Sequence, residues 1–366
     1  MKKIELGIEI LKILNNHGFE AFIVGGAVRD YLLGLEPNDI DITTSATVDE
    51  IDLIFDEVDL SNKKYLNCKV FYHSCDFEIT TYRKDVEYLD HRHPVSVSAN
   101  NLKDDLIRRD FTINAMAMDM NYNIIDLFNG KSDLNSKIIK TIGSPKIRFN
   151  EDGLRVLRAI YYSARLSFDL DEDILESFCE DFVKYIPSEY IKTMVEKICA
   201  LENNKGMKYI HDYKILKSFD FYQTIVDISY KYNCKEYWYV LYLSLNNDLL
   251  LDEKLSKVEK TFAKKASNLV INNFSKISLY NTDLGLIPAA VYIYNLINEG
   301  KVTVDAIMHK YQQLPIHSYK DIKFDFNVLP DINRGKAIKK VEEAIIEGKL
   351  INSIEYIEFF IEKEVL

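Results

Sequence analysis

Two short stretches decide the reading: Val24-Gly25-Gly26-Ala27-Val28-Arg29-Asp30 and, after it, Asp39-Ile40-Asp41. The β-type run Phe19–Val24 enters a pair of glycines, and helix-forming residues follow. Glycine lets the backbone approach a ligand closely, and the free N–H groups of a following helix suit phosphate. Arg29 falls on the first turn, in reach of the same anion; a tight turn with no ligand is the plain alternative. No GK[ST] follows, so this is not a Walker loop. In Asp39-x-Asp41 the period of two puts both carboxylates on one face of a strand and sends Ile40 and Ile42 inward. Two close carboxylates repel unless a cation lies between them. Oxygen ligands favour Mg²⁺, which also binds nucleotide phosphates. A solvated acidic strand end is the alternative.

Working outward, Phe77-Glu78-Ile79 places Glu78 away from the core that its apolar neighbours enter. Glu78 is therefore a candidate third carboxylate, or a surface glutamate. Val70–His73, Phe77–Arg83 and Ile124–Leu127 also read as strands. Beyond residue 150 the pattern changes to the i, i+3, i+4, i+7 spacing of amphipathic helices, in Leu154, Leu157, Ala164 and Leu166 and again in Ile191, Met194, Val195 and Ile198. Ser188 after Pro187, followed by Glu189, marks a helix start.

Composition narrows the function classes. The chain has 366 residues, 47% hydrophobic and 28% charged, as soluble globular proteins do. That length suits two or more packed units. The longest apolar stretch, Leu286–Ile297, is too short for a bilayer core of ~30 Å. The N-terminus reads as an amphipathic helix and not a signal peptide, so the expected location is cytoplasmic. The five cysteines, Cys68, Cys75, Cys179, Cys199 and Cys234, form no CxxC pair. Neither a zinc site nor a disulfide framework is expected; they are expected to be buried small hydrophobes. The net charge of −11 argues against nucleic acid until its distribution is considered. Nine of ten arginines lie between Arg29 and Arg165, and the other is Arg334. Arginine's planar fork suits phosphates and base edges, so the N-terminal part is the chemical part.

Two further clusters fall there. Asp104-Asp105-Leu106-Ile107-Arg108-Arg109-Asp110-Phe111-Thr112-Ile113-Asn114-Ala115 puts paired arginines before an apolar run; salt-bridged structural arginines are the simpler account. In Glu151-Asp152-Gly153-Leu154-Arg155-Val156-Leu157-Arg158, helical spacing puts Asp152, Arg155 and Arg158 roughly along one face. A carboxylate only accepts hydrogen bonds and a guanidinium only donates them. Cytosine and adenine present an amino donor beside a ring-nitrogen acceptor; uracil and guanine present the reverse. An Asp–Arg pair thus suits C and A, unless it is only a surface salt bridge worth ~0.2–0.5 kcal/mol.

Together, from about Gly18 to Leu166, the GG…RD…DxD, RRDFTINAMA and EDxxR segments resemble the class II tRNA nucleotidyltransferases. These are the CCA-adding enzymes and their poly(A) polymerase relatives, within the polymerase-beta-like superfamily. The resemblance is weaker toward the C-terminus. It implies an α+β chain: a mixed-sheet catalytic nucleotidyltransferase head over 1–140, then helical parts. These are a neck with the nucleotide-binding helix over 141–205, a body over 206–290 and a tail over 291–366.

The resemblance further implies that Asp39 and Asp41 hold Mg²⁺; Glu78, from its place on the strand, is the third catalytic candidate beside them. Gly26, Arg29 and Arg109 would contact the nucleotide, and Asp152, Arg155 and Arg158 would form its binding helix. Arg83–Pro94, with Arg83, Asp85, Tyr88, Asp90 and Arg92, is similar to the family's flexible loop, needed for the terminal A. Partners would be the tRNA 3′ end, CTP and ATP, with no membrane and no zinc; a monomer is expected. Enzymes that add only CC or only A, and poly(A) polymerases, share these motifs. Tyr161, His93 and Tyr190 depart from arginines usual in the family. His211-Asp212 reads as a chance pair on a helix. Lys257, Lys260, Lys264 and Lys265 recur at near-helical spacing, as an RNA-facing stripe or a solvated face.

Overall fold

A computed structural model describes residues 3–88, 94–98, 101–234, 237–246 and 255–364. Two compact units divide the chain, Met1–Val226 and Asp227–Leu366.

The first unit opens with α1 (Lys3–Asn16), β1 (Ala21–Val24), α2 (Gly26–Leu32) and β2 (Asp41–Thr44). α3 (Val48–Ile54), β3 (Val58–Asp59), β4 (Asn67–Tyr72) and β5 (Cys75–Thr81) follow. Then come β6 (Arg83–Tyr88), β7 (Pro94–Ser98), α4 (Leu102–Ile107), β8 (Met116–Met118) and β9 (Ile124–Asp126). Seven strands form one sheet in the order β3-β4-β5-β2-β1-β8-β9. β2 runs parallel to β5 and antiparallel to β1, so the sheet is mixed, as expected. Ile40, Ile42, Phe77 and Ile79 are all buried, which is the alternation that leaves Asp41 and Glu78 off the core. β2 and β5 pair in register with Asp41 opposite Glu78. Asp39 lies just outside β2, where the sequence reading had extended the strand.

After the sheet come α5 (Gly130–Ser136), β10 (Ile138–Ile139), α6 (Pro145–Glu151) and α7 (Leu154–Leu166). α7 buries Val156, Leu157, Ala159, Ile160 and Ala164 on one stripe. Farther on, Ser188–Cys199 is helical and buries Ile191, Met194, Val195 and Ile198, as their spacing predicts. His211 and Asp212 sit on the helix Lys205–Tyr213, where Asp212 pairs with Lys208 at 3.3 Å.

The second unit is helical among its described residues, with no strand. Its core joins Ala263, Leu269, Ile287, Ala290, Val341 and Ile357, among others. Three cysteines, Cys68, Cys199 and Cys234, are buried as expected, but Cys75 is half-buried and Cys179 exposed. Among the described residues no helix is long and apolar enough to cross a membrane.

Candidate active site

The glycine turn builds the first wall. Gly25 ends β1 with φ 74°, a backbone state that side chains other than glycine's rarely adopt. A Cβ there would meet Arg109 Nη1 at 3.2 Å and Asp41 Oδ2 at 3.4 Å. The missing side chain therefore lets a guanidinium and a carboxylate close on the turn.

A cavity of about 370 Å³ opens here, lined both by Gly25, Gly26, Asp41 and Arg109 and by Asp152, Arg155 and Arg158. Segments more than a hundred residues apart in sequence thus share one site. Burial raises the Asp41 carboxyl above its ordinary value; Arg109 opposes this, while the Glu78 and Asp39 charges add to it. Such a carboxylate gains from a cation. Among the described residues no three His, Cys, Asp or Glu side chains form a metal cage. Mg²⁺, however, is usually bound by one or two carboxylates completed by substrate phosphates, and an all-oxygen, open donor set fits it. Asp39 does not line the cavity: its side chain is 90% exposed and lies 3.9 Å from Lys3 Nζ. Glu78 is exposed and accepts a hydrogen bond from Asn67.

Asp105 is fully buried and fixes both neighbouring arginines, Arg108 at 2.8 Å and Arg109 at 3.1 Å. The simpler account of paired structural arginines is thus half right, since both also line the cavity. Arg109 Nε is buried with no hydrogen-bond partner, a donor beside an anion-sized space.

Arg29 corrects the expectation of a direct phosphate contact. It is 2% exposed and does not line the cavity. Its Nε donates to Asp30 Oδ1 at 2.8 Å and its Nη1 to Asn114 Oδ1 at 2.7 Å. Asn114 in turn donates to Asp110 Oδ1 at 3.2 Å. Arg29 thus lies beneath the turn, with Gly26 3.4 Å above its Nη2 if a Cβ is placed there.

Asp152 is not on the helix with Arg155 and Arg158. It caps the end of α6, and its Oδ1 accepts from Leu154 N–H at 3.0 Å. The corner works because Gly153 passes Phe182 closely: a Cβ would lie 1.8 Å from that carbonyl oxygen. Arg158 donates to Asp110, and Tyr162 lines the cavity with its ring 5.6 Å from the Arg158 guanidinium and 5.1 Å from that of Arg29. Tyr161 packs on Tyr162 at 5.4 Å, so the departure from arginine there places an aromatic ring beside the site.

At the segment expected as a flexible loop, Arg83–Tyr88 pairs antiparallel with Pro94–Ser98, Arg83 opposite Ser98 and Tyr88 opposite Pro94. The Val95-Ser96-Val97-Ser98 alternation was the signal for it. Asp85 and Tyr88 lie on its first strand; Asp90, Arg92 and His93 lie outside the described residues. Arg83 lines the cavity at the ribbon's root and donates to Tyr65 O at 3.0 Å. Sequence reasoning missed Asp110, Asn114 and Tyr162 as site residues. Asp110 and Asn114 lie inside a motif already quoted and carried no signal of their own; Tyr162 stands four residues after Arg158 on α7, and that helical spacing was the available signal.

Comparison with known proteins gives the family. Residues 21–140 match the model described as Poly A polymerase head domain, and residues 233–361 match the tRNA nucleotidyltransferase domain 2 model. A CCA-adding enzyme of Staphylococcus epidermidis is 32% identical over 386 residues, covering 95% of each chain. The chain belongs to the CCA-adding enzyme family. It is accordingly a nucleotidyltransferase, as its motifs predict. The CCA-adding enzyme of Staphylococcus haemolyticus is also 32% identical, over 377 residues and 94% of each chain. The fold is that of the Bacillus stearothermophilus CCA-adding enzyme in complex with CTP, with TM-score 0.82 and 22% identity over 99% of this chain and 98% of that one. It is also similar to the Thermotoga maritima CCA-adding enzyme complexed with tRNA, with TM-score 0.66 and 17% identity over 98% and 95%.

Proposed function

We propose that the protein adds the 3′-terminal CCA to tRNA from CTP and ATP, in the cytoplasm, with Mg²⁺ as cofactor. The observation that carries this reading is that one cavity is lined by Asp41, Gly25, Gly26 and Arg109 together with Asp152, Arg155 and Arg158. One wall suits a triphosphate and the other a base edge. Both walls belong to the first unit, which supports a head over 1–140 and a neck over 141–205 as the catalytic parts.

The tRNA 3′-hydroxyl gives its proton to solvent and attacks the α-phosphorus of the bound triphosphate; the new P–O bond forms as the bond from that phosphorus to the α,β-bridging oxygen breaks, and pyrophosphate leaves. Asp41 and Asp39 would hold Mg²⁺, which when bound would supply Lewis-acid chemistry there. Arg109 offsets phosphate charge from a position fixed by Asp105, so little reorganisation is needed as charge develops. Glu78, opposite Asp41, keeps the site's acidic edge. Asp152 accepts from the base amino group and Arg155 donates to the ring nitrogen, which admits C and A at one site. Positioning by these groups supplies the remaining catalysis. Lys257, Lys264 and Lys265 are exposed on the helix Lys257–Ile271 and suit the tRNA backbone.

The test is incubation of the protein with tRNA lacking its 3′ end, Mg²⁺, and CTP and ATP separately and together. CC from CTP alone and CCA from both support the reading. Addition stopping at CC, addition of A only to tRNA ending in CC, or a long A tract would each replace it.

A further inference from the structure

Tyr162 stands between an arginine of its own helix and one of another element. Its ring lines the nucleotide cavity, with the Arg29 guanidinium 5.1 Å and the Arg158 guanidinium 5.6 Å from its centroid. Both lie within the ~6 Å over which a cation is attracted to an aromatic ring. Arg29 belongs to α2, beneath the glycine turn, and Arg158 to α7, one helical turn before Tyr162. The two guanidiniums are also joined through side chains. Arg29 Nη1 donates to Asn114 Oδ1 at 2.7 Å, Asn114 Nδ2 to Asp110 Oδ1 at 3.2 Å, and Arg158 Nε to Asp110 Oδ2 at 2.7 Å. The Tyr162 ring closes this chain into a circuit between the glycine turn and α7. Each cation has its own carboxylate, Asp30 at 2.7 Å from Arg29 and Asp110 at 2.5 Å from Arg158, which offsets their mutual repulsion. Buried Phe111 meets the Tyr162 ring edge-on at 5.9 Å and fixes its tilt. The Arg29 side chain is 2% exposed and that of Arg158 40%, so one end of the circuit is locked in the interior and the other opens on the cavity.

We propose that Tyr162 is a positioning residue for nucleotide binding, its ring holding the Arg158 guanidinium at a fixed distance from the buried Arg29. The proposal rests on the reading that Arg158 contacts the nucleotide. Arg158 reaches Asp110 through a single carboxylate oxygen, Oδ2, for both its Nε and its Nη2. A two-oxygen fork would fix the guanidinium plane; a one-oxygen contact leaves it free to swing about that point. The ring is the second support that removes this freedom. What the two cations meet is the aromatic face and not the hydroxyl, so phenylalanine should serve in its place. An aliphatic side chain fills part of the volume but has no quadrupole to attract either guanidinium. The expected loss is therefore in nucleotide binding more than in folding or in tRNA binding.

The experiment measures equilibrium CTP binding in the absence of tRNA, then KM for CTP, ATP and tRNA during addition, with Tm alongside. The variants are Tyr162→Leu, Tyr162→Phe, Arg158→Gln and the Tyr162→Leu/Arg158→Gln double. Tyr162→Leu is expected to weaken CTP binding and to raise KM for CTP and ATP alike by about 5–10-fold, with KM for tRNA unchanged. Tyr162→Phe, which keeps the ring, is expected to recover most of that loss. In the Arg158→Gln background Tyr162→Leu should weaken CTP binding no further. Wild-type CTP binding by Tyr162→Leu beside weakened binding by Arg158→Gln overturns the positioning role alone. A Tyr162→Phe enzyme as poor as Tyr162→Leu also overturns it, because the hydroxyl would then be the group that matters. Parallel rises in KM for nucleotide and for tRNA with a lowered Tm mean a structural role only and overturn it too. Wild-type CTP binding by Arg158→Gln overturns the reading of Arg158 as a nucleotide contact, and the positioning role with it. If Tyr162→Leu does not fold, Tyr162→Met takes its place with the same outcomes.

Discussion

Arg158 Nε donates to Asp110 Oδ2 at 2.7 Å, joining residues 48 apart in sequence across the wall of the nucleotide cavity. Burial pushes the Asp110 carboxyl up, but the Arg158 charge, together with hydrogen bonds from Arg158, Asn114 and the Phe111 N–H, holds it below its ordinary value. Asp110 in turn raises the Arg158 guanidinium. The same sense applies to Asp105: burial opposes ionisation, and Arg108 and Arg109 overcome it. The head is thus tied to α7 by a buried anion.

A depressed carboxylate contributes stability that is present above its unfolded value, 3.8 for aspartate, and is lost as pH falls through its lower folded value. The protein should therefore lose stability in acid below about pH 4. Asp110→Asn leaves Arg158 without its anion. A one-sided break of a buried pair costs about 3–5 kcal/mol. Because the Arg158 side chain is 40% exposed, we expect about 1–3 kcal/mol here. Thermal unfolding of both proteins between about pH 3 and pH 7 is the check, and the variant should show a flatter acid limb. Equal acid slopes would remove Asp110 as a contributor.

Gly153→Ala tests the corner between α6 and α7. The new Cβ would lie 1.8 Å from Phe182 O and 2.7 Å from its carbonyl carbon, so backbone must move. Overpacking of this kind costs about 1–3 kcal/mol, and more where backbone is struck. We expect a loss of about 3 kcal/mol in urea unfolding, with weakened nucleotide binding because Asp152 and Arg155 flank the glycine. A variant with wild-type midpoint would mean that the 180–182 segment shifts freely.

How much of this was legible beforehand depends on the range of the signal. The alternation Asp39, Ile40, Asp41, Ile42 and Phe77, Glu78, Ile79 is local, and burial follows it residue by residue. The register that sets Asp41 opposite Glu78 is tertiary and has no local mark. Arg29 was misread because its fate is decided by Asn114, 85 residues away. An arginine on a first turn looks the same in sequence whether it meets a ligand or a buried amide. The strand pairing of Arg83–Tyr88 with Pro94–Ser98 was not foreseen, because polarity outweighed a short Val–Ser alternation on the partner strand. Asp152 was placed on a helix by spacing alone, although its own extended backbone, φ −145° and ψ 105°, is what separates α6 from α7, Gly153 being already helical.

Asp41→Asn separates chemistry from folding. Burial disfavours the charged carboxylate, and the neighbouring Glu78 and Asp39 charges add to this. Removing that charge should leave the metal-free protein's Tm unchanged or slightly raised, while nucleotide addition is abolished. Asp39→Asn should act in the same direction on activity. A chelator in excess of Mg²⁺ should silence the wild-type enzyme reversibly. The checks are far-UV melting and primer extension on tRNA. Near-normal turnover by Asp41→Asn at an unchanged melting point would sink the metal-site assignment.

Asp152→Ala addresses base choice. Asp152 Oδ1 accepts from Leu154 N–H at 3.0 Å, so the carboxylate both stabilises the start of α7 and faces the cavity. Loss of the cap should cost about 1 kcal/mol of stability. Loss of the acceptor for the base amino group should cost a further ~1–3 kcal/mol of CTP and ATP binding in the transition state. UTP and GTP lose no favourable bond, and their carbonyls no longer meet a carboxylate. Preference for C and A should therefore narrow ~10–100-fold, at 1.36 kcal/mol per decade. Asp152→Asn distinguishes the two roles. Its amide oxygen can still cap Leu154, while its NH₂ group can donate to a base carbonyl, so stability should return but selectivity should not. Single-nucleotide incorporation on tRNA ending in the discriminator base, with each of the four triphosphates, reads both variants. Full retention of C and A preference in Asp152→Ala would mean that this corner is a salt-bridged neck and that the base is read by other groups.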